Sequence, residues 1–424
     1  MSGDLAIIAG VVVAFALVSR RVGPSVISGP MIFVAAGLVT GEHVLGIVDL
    51  DLELHAIDVI GEATLGVLLF ADASRIDLRA LRREYMLPAR LLGIGLPLTV
   101  AATTGVLALL VDGIDVWHAA LIAAILSPTD AALGQEVVSD PGVPARIRQG
   151  LNVESGLNDG LIVPAVALFL AFAVDEEDVK STGFWLSFVG QQIGLGVLIG
   201  LTIGAAGAWL LAASDRHGAL DGLWAQLAVL ALAIAALTTA IAAGGNGFIA
   251  TFVGGLAFGH VNAKAEHLSE FTEDAAQLAA SVSFFLFGNL LLGPALGDLS
   301  FAVVICALAV LTVARMVPVA VAMTGTGAAL PTKLFVGWFG PRGLASILFG
   351  LILLEEELSN ADELFAVVAW TVTLSVVLHG ATAAVGARRY GAWWREMDDD
   401  EAASMPEAMP VAEQRARRTG ARDD

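Results

Sequence analysis

Four ionisable side chains stand inside apolar stretches of the chain: Asp130, Glu154, Asp159 and Arg342. A charge at mid-depth in hydrocarbon costs at least about 2.5 kcal/mol on insertion scales, so each is a functional candidate by default. Residue type limits the chemistry. A carboxylate removed from water needs a fixed cation, a proton or a metal ion, whereas a buried arginine stays charged and demands an anion.

The carboxylates Glu154 and Asp159 lie in Asn152-Val153-Glu154-Ser155-Gly156-Leu157-Asn158-Asp159-Gly160. Helical spacing of four places Ser155 with Asp159 on one face and Glu154 with Asn158 on the adjoining one. The two acids therefore need not share a partner. Glu154 is expected to pair with Arg342 as a mainly structural ion pair, which leaves Asp159 free for exchange. The hard oxygens of Thr129, Ser155 and Asp159 suit an alkali cation, because such ions prefer carboxylate, carbonyl and hydroxyl ligands.

Asp130 closes Ser127-Pro128-Thr129-Asp130, and Arg342 lies in Gly337-Trp338-Phe339-Gly340-Pro341-Arg342-Gly343. Each proline removes a backbone donor near mid-membrane and breaks its helix there. The breaks could be two ordinary kinks, with Thr129 and Asp130 merely capping a half-helix. As a charged pair at corresponding positions of two halves, they instead point to a transporter's central ion site.

These residues must be positioned by membrane helices. The 424-residue chain is 57% hydrophobic and 15% charged, with a mean hydropathy of +0.80, far more apolar than the roughly 45 to 50% of soluble domains. That composition excludes a water-soluble enzyme. The formal charge of −20 argues against nucleic-acid binding. The single Cys306 excludes an intramolecular disulfide framework, no histidine spacing makes a metal site, and a phosphate-cradling GxxxxGK[ST] loop is missing. No cofactor is implied. The scarcity of lysine fits either a high-salt habitat or codon bias.

Thirteen apolar windows run approximately 5–18, 26–39, 57–72, 86–111, 116–138, 150–173, 184–211, 223–243, 248–261, 274–292, 301–323, 334–354 and 364–387. Loops after the odd-numbered windows are basic: Arg20 and Arg21; Arg75, Arg79, Arg82 and Arg83; Arg146 and Arg148; Arg216; Lys264; Lys333; Arg388 and Arg389. Loops after the even-numbered windows are acidic, with Asp49, Asp51 and Glu53, then Asp112 and Asp115, the 175–178 run, Asp298, and Glu355 to Glu357; Lys180 is their one basic residue. The positive-inside rule then puts the N-terminus outside and the C-terminus in the cytoplasm of a plasma-membrane protein.

Windows 1 to 6 and 8 to 13 form two six-helix halves, residues 5–173 and 223–387, joined by a linker helix over 184–211. Each break falls on the fifth window of its half, and the odd offset inverts one half against the other. Arg20 and Arg21 follow the first apolar stretch instead of preceding it, so a cleavable signal peptide is not expected. Residues 1–390 read as one membrane domain with an interfacial anchor at Tyr390, Trp393 and Trp394, and residues 391–424 as a short disordered cytoplasmic tail. Asp72 reads as snorkelling beside Arg75, Arg315 could face the bundle interior or snorkel, and the glycines of 190–207 and 244–259 read as close helix packing.

Together, Ser127-Pro128-Thr129-Asp130, Glu154-Ser155-Gly156-Leu157-Asn158-Asp159-Gly160 and Gly340-Pro341-Arg342-Gly343 resemble the monovalent cation:proton antiporters of family 1, the NhaP-type sodium/proton exchangers. The likeness covers about residues 5 to 387, and Gly247-Phe248-Ile249-Ala250-Thr251-Phe252-Val253-Gly254-Gly255 adds to it. The resemblance implies an all-α antiporter fold with crossed interrupted helices and a homodimer with a moving core. It also implies electroneutral exchange of Na⁺ for H⁺ at Asp159, with Thr129, Ser155 and Asn158 completing the site and Glu154 paired with Arg342. Where the family usually has glutamate after Leu-Leu-Phe, Leu68-Leu69-Phe70 is followed here by Ala71 and Asp72, a shift that turns the carboxylate by about 100°.

The expected mechanism is competition at one buried carboxylate, with the cation-loaded and proton-loaded forms crossing by rocking of the core. A K⁺/H⁺ exchanger on the same scaffold is the alternative, and an ion channel built from broken helices a more distant one. A membrane-embedded enzyme finds no nucleophile or metal-ligand constellation in support.

Overall fold

In lipid, every backbone N–H and C=O must be satisfied within the chain, so long Ala/Leu/Val/Ile runs can only become helices. The computed structural model describes residues 2–22, 26–50, 54–76, 78, 85–130, 133–174, 181–262, 264–355, 358, 361–397 and 405–408. All regular structure among them is helical. Several expected loop charges, including Asp51, Glu53, Arg79, Arg82, Arg83, Lys180, Glu356 and Glu357, and most of the tail lie outside the described residues.

The helices are α1 (Ser2–Val22), α2 (Gly29–Thr40), α3 (Leu54–Ser74) and α4 (Met86–Leu110), the last with one π turn at Leu91–Gly95. An interrupted helix follows, α5a (Val116–Ile125) and α5b (Gln135–Ser139). Next come α6 (Ala145–Val174), α7 (Thr182–Arg216), α8 (Gly222–Ala242), α9 (Gly247–Val261) and α10 (Ala265–Leu286). Then α11 spans Phe301–Ala322, a second interrupted helix comprises α12a (Leu330–Trp338) and α12b (Leu344–Glu355), and α13 (Ala361–Arg395) ends the bundle.

Among the described residues, nine helices are long and apolar enough to cross a membrane, and four shorter apolar helices accompany them: Gly29–Thr40, Val116–Ile125, Gly247–Val261 and Leu344–Glu355. Each apolar window of the sequence falls on a helix or on the two halves of one. Side-chain caps set several starts: Asp115, Ser181, Asp221, Asn246 and Ser300 accept from the backbone N–H two or three residues on.

Glycines bring backbones into contact. A Cβ on Gly200 or Gly204 of α7 would strike the backbone of α9 at Ala250 and Gly254, and one on Gly255 or Gly259 of α9 would strike α3 at Phe70 and Ser74. This is the close packing expected of both glycine-rich stretches.

Three boundaries differ from the sequence reading, one of them the end of α13, which runs to Arg395 and so takes the first residues of the expected tail into the helix. α10 begins at Ala265, nine residues before its window, because its polar first turns can lie beyond the apolar layer; there Glu273 pairs with Arg75 of the loop after α3. Part of the expected disordered tail is ordered: Pro406–Ala408 forms a 3₁₀ turn. The Pro406 carbonyl accepts from Arg146, and buried Glu407 accepts from the Ala329 N–H at the start of α12a, 3.0 Å away. The Ala329 N–H, a helix-start donor outside the helical ladder, and the Arg146 guanidinium supply the reason for that docking.

Candidate ion-binding site at two crossed helix breaks

α5a ends where Leu126 leaves the helical ladder, and Ser127-Pro128-Thr129-Asp130 continues without helical structure. Opposite it, Phe339 to Gly343 separates α12a from α12b. The two irregular strands of chain cross and satisfy one another's backbone groups. The Asp130 N–H donates to the Pro341 carbonyl at 2.8 Å.

At this crossing the two charges sit on the half-helix ends that suit them. The Arg342 Nη1 donates to the Ser127 and Pro128 carbonyls at 2.7 and 3.1 Å, just past the C-terminal end of α5a. The Asp130 Oδ2 accepts from the Leu344 N–H at 2.7 Å, the N-terminal end of α12b, and its Oδ1 from the Leu133 N–H at 3.2 Å. A cation at a helix C-terminus and an anion at an N-terminus both oppose the helix dipole favourably. Asp130 is thus a cap as well as a charge.

α6 runs unbroken past the crossing and is stitched to it. Ser155 Oγ donates to the Thr129 carbonyl at 2.5 Å, and Asn158 Nδ2 donates to Thr129 Oγ1 at 2.7 Å. On the far side, Asn246 Nδ2 holds the Gly160 carbonyl at 3.0 Å, locking α6 against the start of α9. Asp159, 3% exposed, lies between these anchors.

No hydrogen-bond donor among the described residues reaches Asp159 Oδ1 or Asn158 Oδ1, and both are buried. Asp130 is near enough to act electrostatically on Asp159. A buried carboxylate with an unpartnered oxygen, beside further oxygens on Asn158, Ser155 and Thr129, is an acceptor set with its cation or proton still to be supplied. A small pocket of about 20 Å³, room for one water-sized species, opens beside Thr129 and Ser155, and neither Asn158 nor Asp159 lines it. Thr129, Asp130, Ser155, Asn152, Phe339 and Pro341 line it, at the α5b end of the crossing.

The expected pairing of Glu154 with Arg342 is corrected. Glu154 is held by Arg315 of α11, Nη1 to Oε1 at 2.6 Å and Nη2 to Oε2 at 3.0 Å, with both side chains almost wholly buried. The sequence left Arg315 between two readings, and it faces the bundle interior. The reason lies in position: Arg342 Nη1 is directed at the carbonyls of the α5 break, whereas the fork of Arg315 meets Glu154 in two parallel bonds. Arg342 remains within electrostatic reach of both members of that pair. Asp72 is buried in the last turn of α3.

Two more residues belong to the frame. Ser375 Oγ accepts from the Arg342 N–H at 2.6 Å, and His379, one turn on, reaches the Trp338 carbonyl. Their spacing of four on an apolar helix was a readable signal, but nothing in the sequence tied α13 to the break.

A family model described as sodium/hydrogen exchanger, transmembrane, matches residues 7–387. Among curated proteins, the K(+)/H(+) antiporter NhaP2 of Shewanella sp. strain ANA-3 is 26% identical over 392 residues, covering 90% of this chain and 66% of its own length. The Na(+)/H(+) antiporter ApNhaP of Aphanothece halophytica is 27% identical over 346 residues, covering 77% and 64%. This chain thus spans about two-thirds of the length of the curated relatives it matches. Among solved structures, the sodium proton antiporter MjNhaP1 of Methanocaldococcus jannaschii superposes with a TM-score of 0.76 at 19% identity, over 92% of this chain and 98% of that one, a likeness of fold.

Proposed function

This chain belongs to the sodium/hydrogen exchanger family, and from that premise we propose that it exchanges a monovalent alkali cation for H⁺ at one site built around Asp159. The observation that carries the reading is the acidic group itself: buried, short of a donor on Oδ1, and set beside Asn158, Ser155 and Thr129 at the crossing of two broken helices.

Burial disfavours the bare anion, so Asp159 is filled by either a proton or a cation. Both cannot occupy it at once, and that exclusion couples the two fluxes. Thr129, Ser155, Asn158 and Asp159 ligate the ion, while Asp130 and Arg342 hold the crossing and Glu154 with Arg315 braces α6 against α11. One carboxylate exchanging one charge for another gives electroneutral 1:1 antiport.

The thirteen helical segments are read as crossings of the plasma membrane, N-terminus outside, in inverted halves 5–173 and 223–387. The pocket at the α5b end, on the side of the basic loops, then faces the cytoplasm. A homodimer with a core containing α5, α6 and α12 rocking against the rest alternates access.

Na⁺ or Li⁺ is the first reading for the cation. K⁺ is the second, favoured by the names of the Shewanella and Alkalimonas amylolytica relatives, both called K(+)/H(+) antiporters. Proton flux in everted vesicles, driven by Na⁺, Li⁺ and K⁺ in turn, separates the cations. Asp159→Asn should abolish flux with each of them while the protein stays folded. Full residual flux in that variant removes Asp159 from the mechanism, and ionic current without proton movement replaces the antiporter with a channel.

A further inference from the structure

α13 passes the break in α12 without interruption, and two of its residues grip the break from both edges. The last carbonyl of α12a, that of Trp338, lies 3.0 Å from His379 Nε2, and the Arg342 N–H lies 2.6 Å from Ser375 Oγ. Ser375 Oγ and His379 Nδ1 are 3.0 Å apart.

Two carbonyls that only accept lie near the ring, that of Trp338 at 3.0 Å from Nε2 and that of Ser375 at 3.1 Å from Nδ1. With its proton on Nε2, His379 donates to Trp338. Nδ1 then accepts from the Ser375 hydroxyl, whose oxygen accepts from the Arg342 N–H. One chain of hydrogen bonds thus runs from residue 338 to residue 342 through α13, bracketing Phe339-Gly340-Pro341. His379 is 1% exposed and its ring packs against that of Trp338, with centroids 5.0 Å apart. Trp338 is fixed a second time, through Nε1 to Thr382 Oγ1 at 2.9 Å on the next turn of α13.

The bracketed segment holds the ion site. The Pro341 carbonyl receives the Asp130 N–H, and Arg342 fixes the Ser127 and Pro128 carbonyls next to Thr129. We propose that His379 is a positioning residue for cation binding: it clamps both edges of the α12 break, and so sets where Thr129 and Asp130 stand at the crossing. The proposal rests on the reading that the cation binds there.

Two substitutions isolate the clamp. His379→Leu keeps bulk but loses the donor to Trp338, whereas the amide of His379→Gln can reach the same carbonyl. Two readouts are taken on protein that elutes as a single folded species: cation-driven proton flux, and deuterium uptake of peptides covering 337–344. The Leu variant should raise the apparent KM for the cation about fivefold, the loss of one buried hydrogen bond, with maximal rate little changed. Uptake in 337–344 should rise with no matching rise in α4 or α8. The Gln variant should return KM to within about twofold of the wild type.

If the Leu variant does not fold, Ser375→Ala removes the other grip, and the same rise in KM and uptake is expected. Wild-type KM and uptake in a folded Leu or Ala variant, or a Gln variant as impaired as Leu, would overturn the clamp. The exchange readout needs no transport, so it judges the clamp even where a wild-type protein without cation-driven flux has refuted the antiport reading.

Discussion

Replacing Arg315 by Met tests which arginine neutralises Glu154. In the folded protein the pair is bidentate, at 2.6 and 3.0 Å, with side chains 1% and 3% exposed. Removing the guanidinium strands a buried carboxylate, and breaking such a pair from one side costs about 3–5 kcal/mol. Glu154→Gln should cost a similar amount, because it leaves Arg315 facing Arg342 with no anion between them. The double change Glu154→Gln, Arg315→Met removes both charges and should cost less than the sum by about 2–3 kcal/mol. The assay is unfolding in mixed detergent micelles by added dodecyl sulfate, followed by the fluorescence of the eight tryptophans. A parallel cycle with Arg342→Met should show less than half that coupling, since Arg342 makes no hydrogen bond to Glu154 and its Nη1 donates to the Ser127 and Pro128 carbonyls. A coupling below about 0.5 kcal/mol for the Arg315 cycle, or a larger one for the Arg342 cycle, would refute the assignment.

Three further outcomes follow from the crossing. Gly343→Ala should abolish transport and lower stability, because a Cβ there would collide with the Asp130 side chain that caps α12b; a variant with wild-type flux and melting would contradict that geometry. Asp130→Ala should cost about 0.5–2 kcal/mol through the lost cap, measured in the same unfolding assay, and no loss would deny Asp130 its capping role. Ser155→Ala frees the Thr129 carbonyl from its 2.5 Å bond and should raise the apparent KM for the cation while leaving stability within about 1 kcal/mol of the wild type; an unchanged KM would place Ser155 outside the ion site.

Much of the architecture was readable in the residues. Hydropathy located the helices because lipid admits little else, and paired prolines with adjacent charges located both breaks. The spacing of Ser155, Asn158 and Asp159 placed them on neighbouring faces of α6, and the structure brings Ser155 and Asn158 to Thr129. The choice between Arg315 and Arg342 was not readable. Both are buried cations, and only the crossing shows that the Ser127 and Pro128 carbonyls of the α5 break claim Arg342. The Ser375 and His379 contacts are hidden for the same reason, since nothing local to α13 says which turn of another helix it passes. The order at Pro406–Ala408 depends on Arg146 and Ala329, residues far away in the chain, so composition alone read that stretch as tail.

The account stands or falls on whether one acidic side chain takes H⁺ and a metal ion as alternatives. Titration calorimetry of the purified protein with Na⁺ and K⁺ over a range of pH measures this directly. On the acid side of the transition, the Kd should rise about tenfold for each unit of falling pH, each cation bound should release about one proton, and Asp159→Asn should remove both the binding and the release. A Kd indifferent to pH, or cation binding that survives in Asp159→Asn, would contradict it.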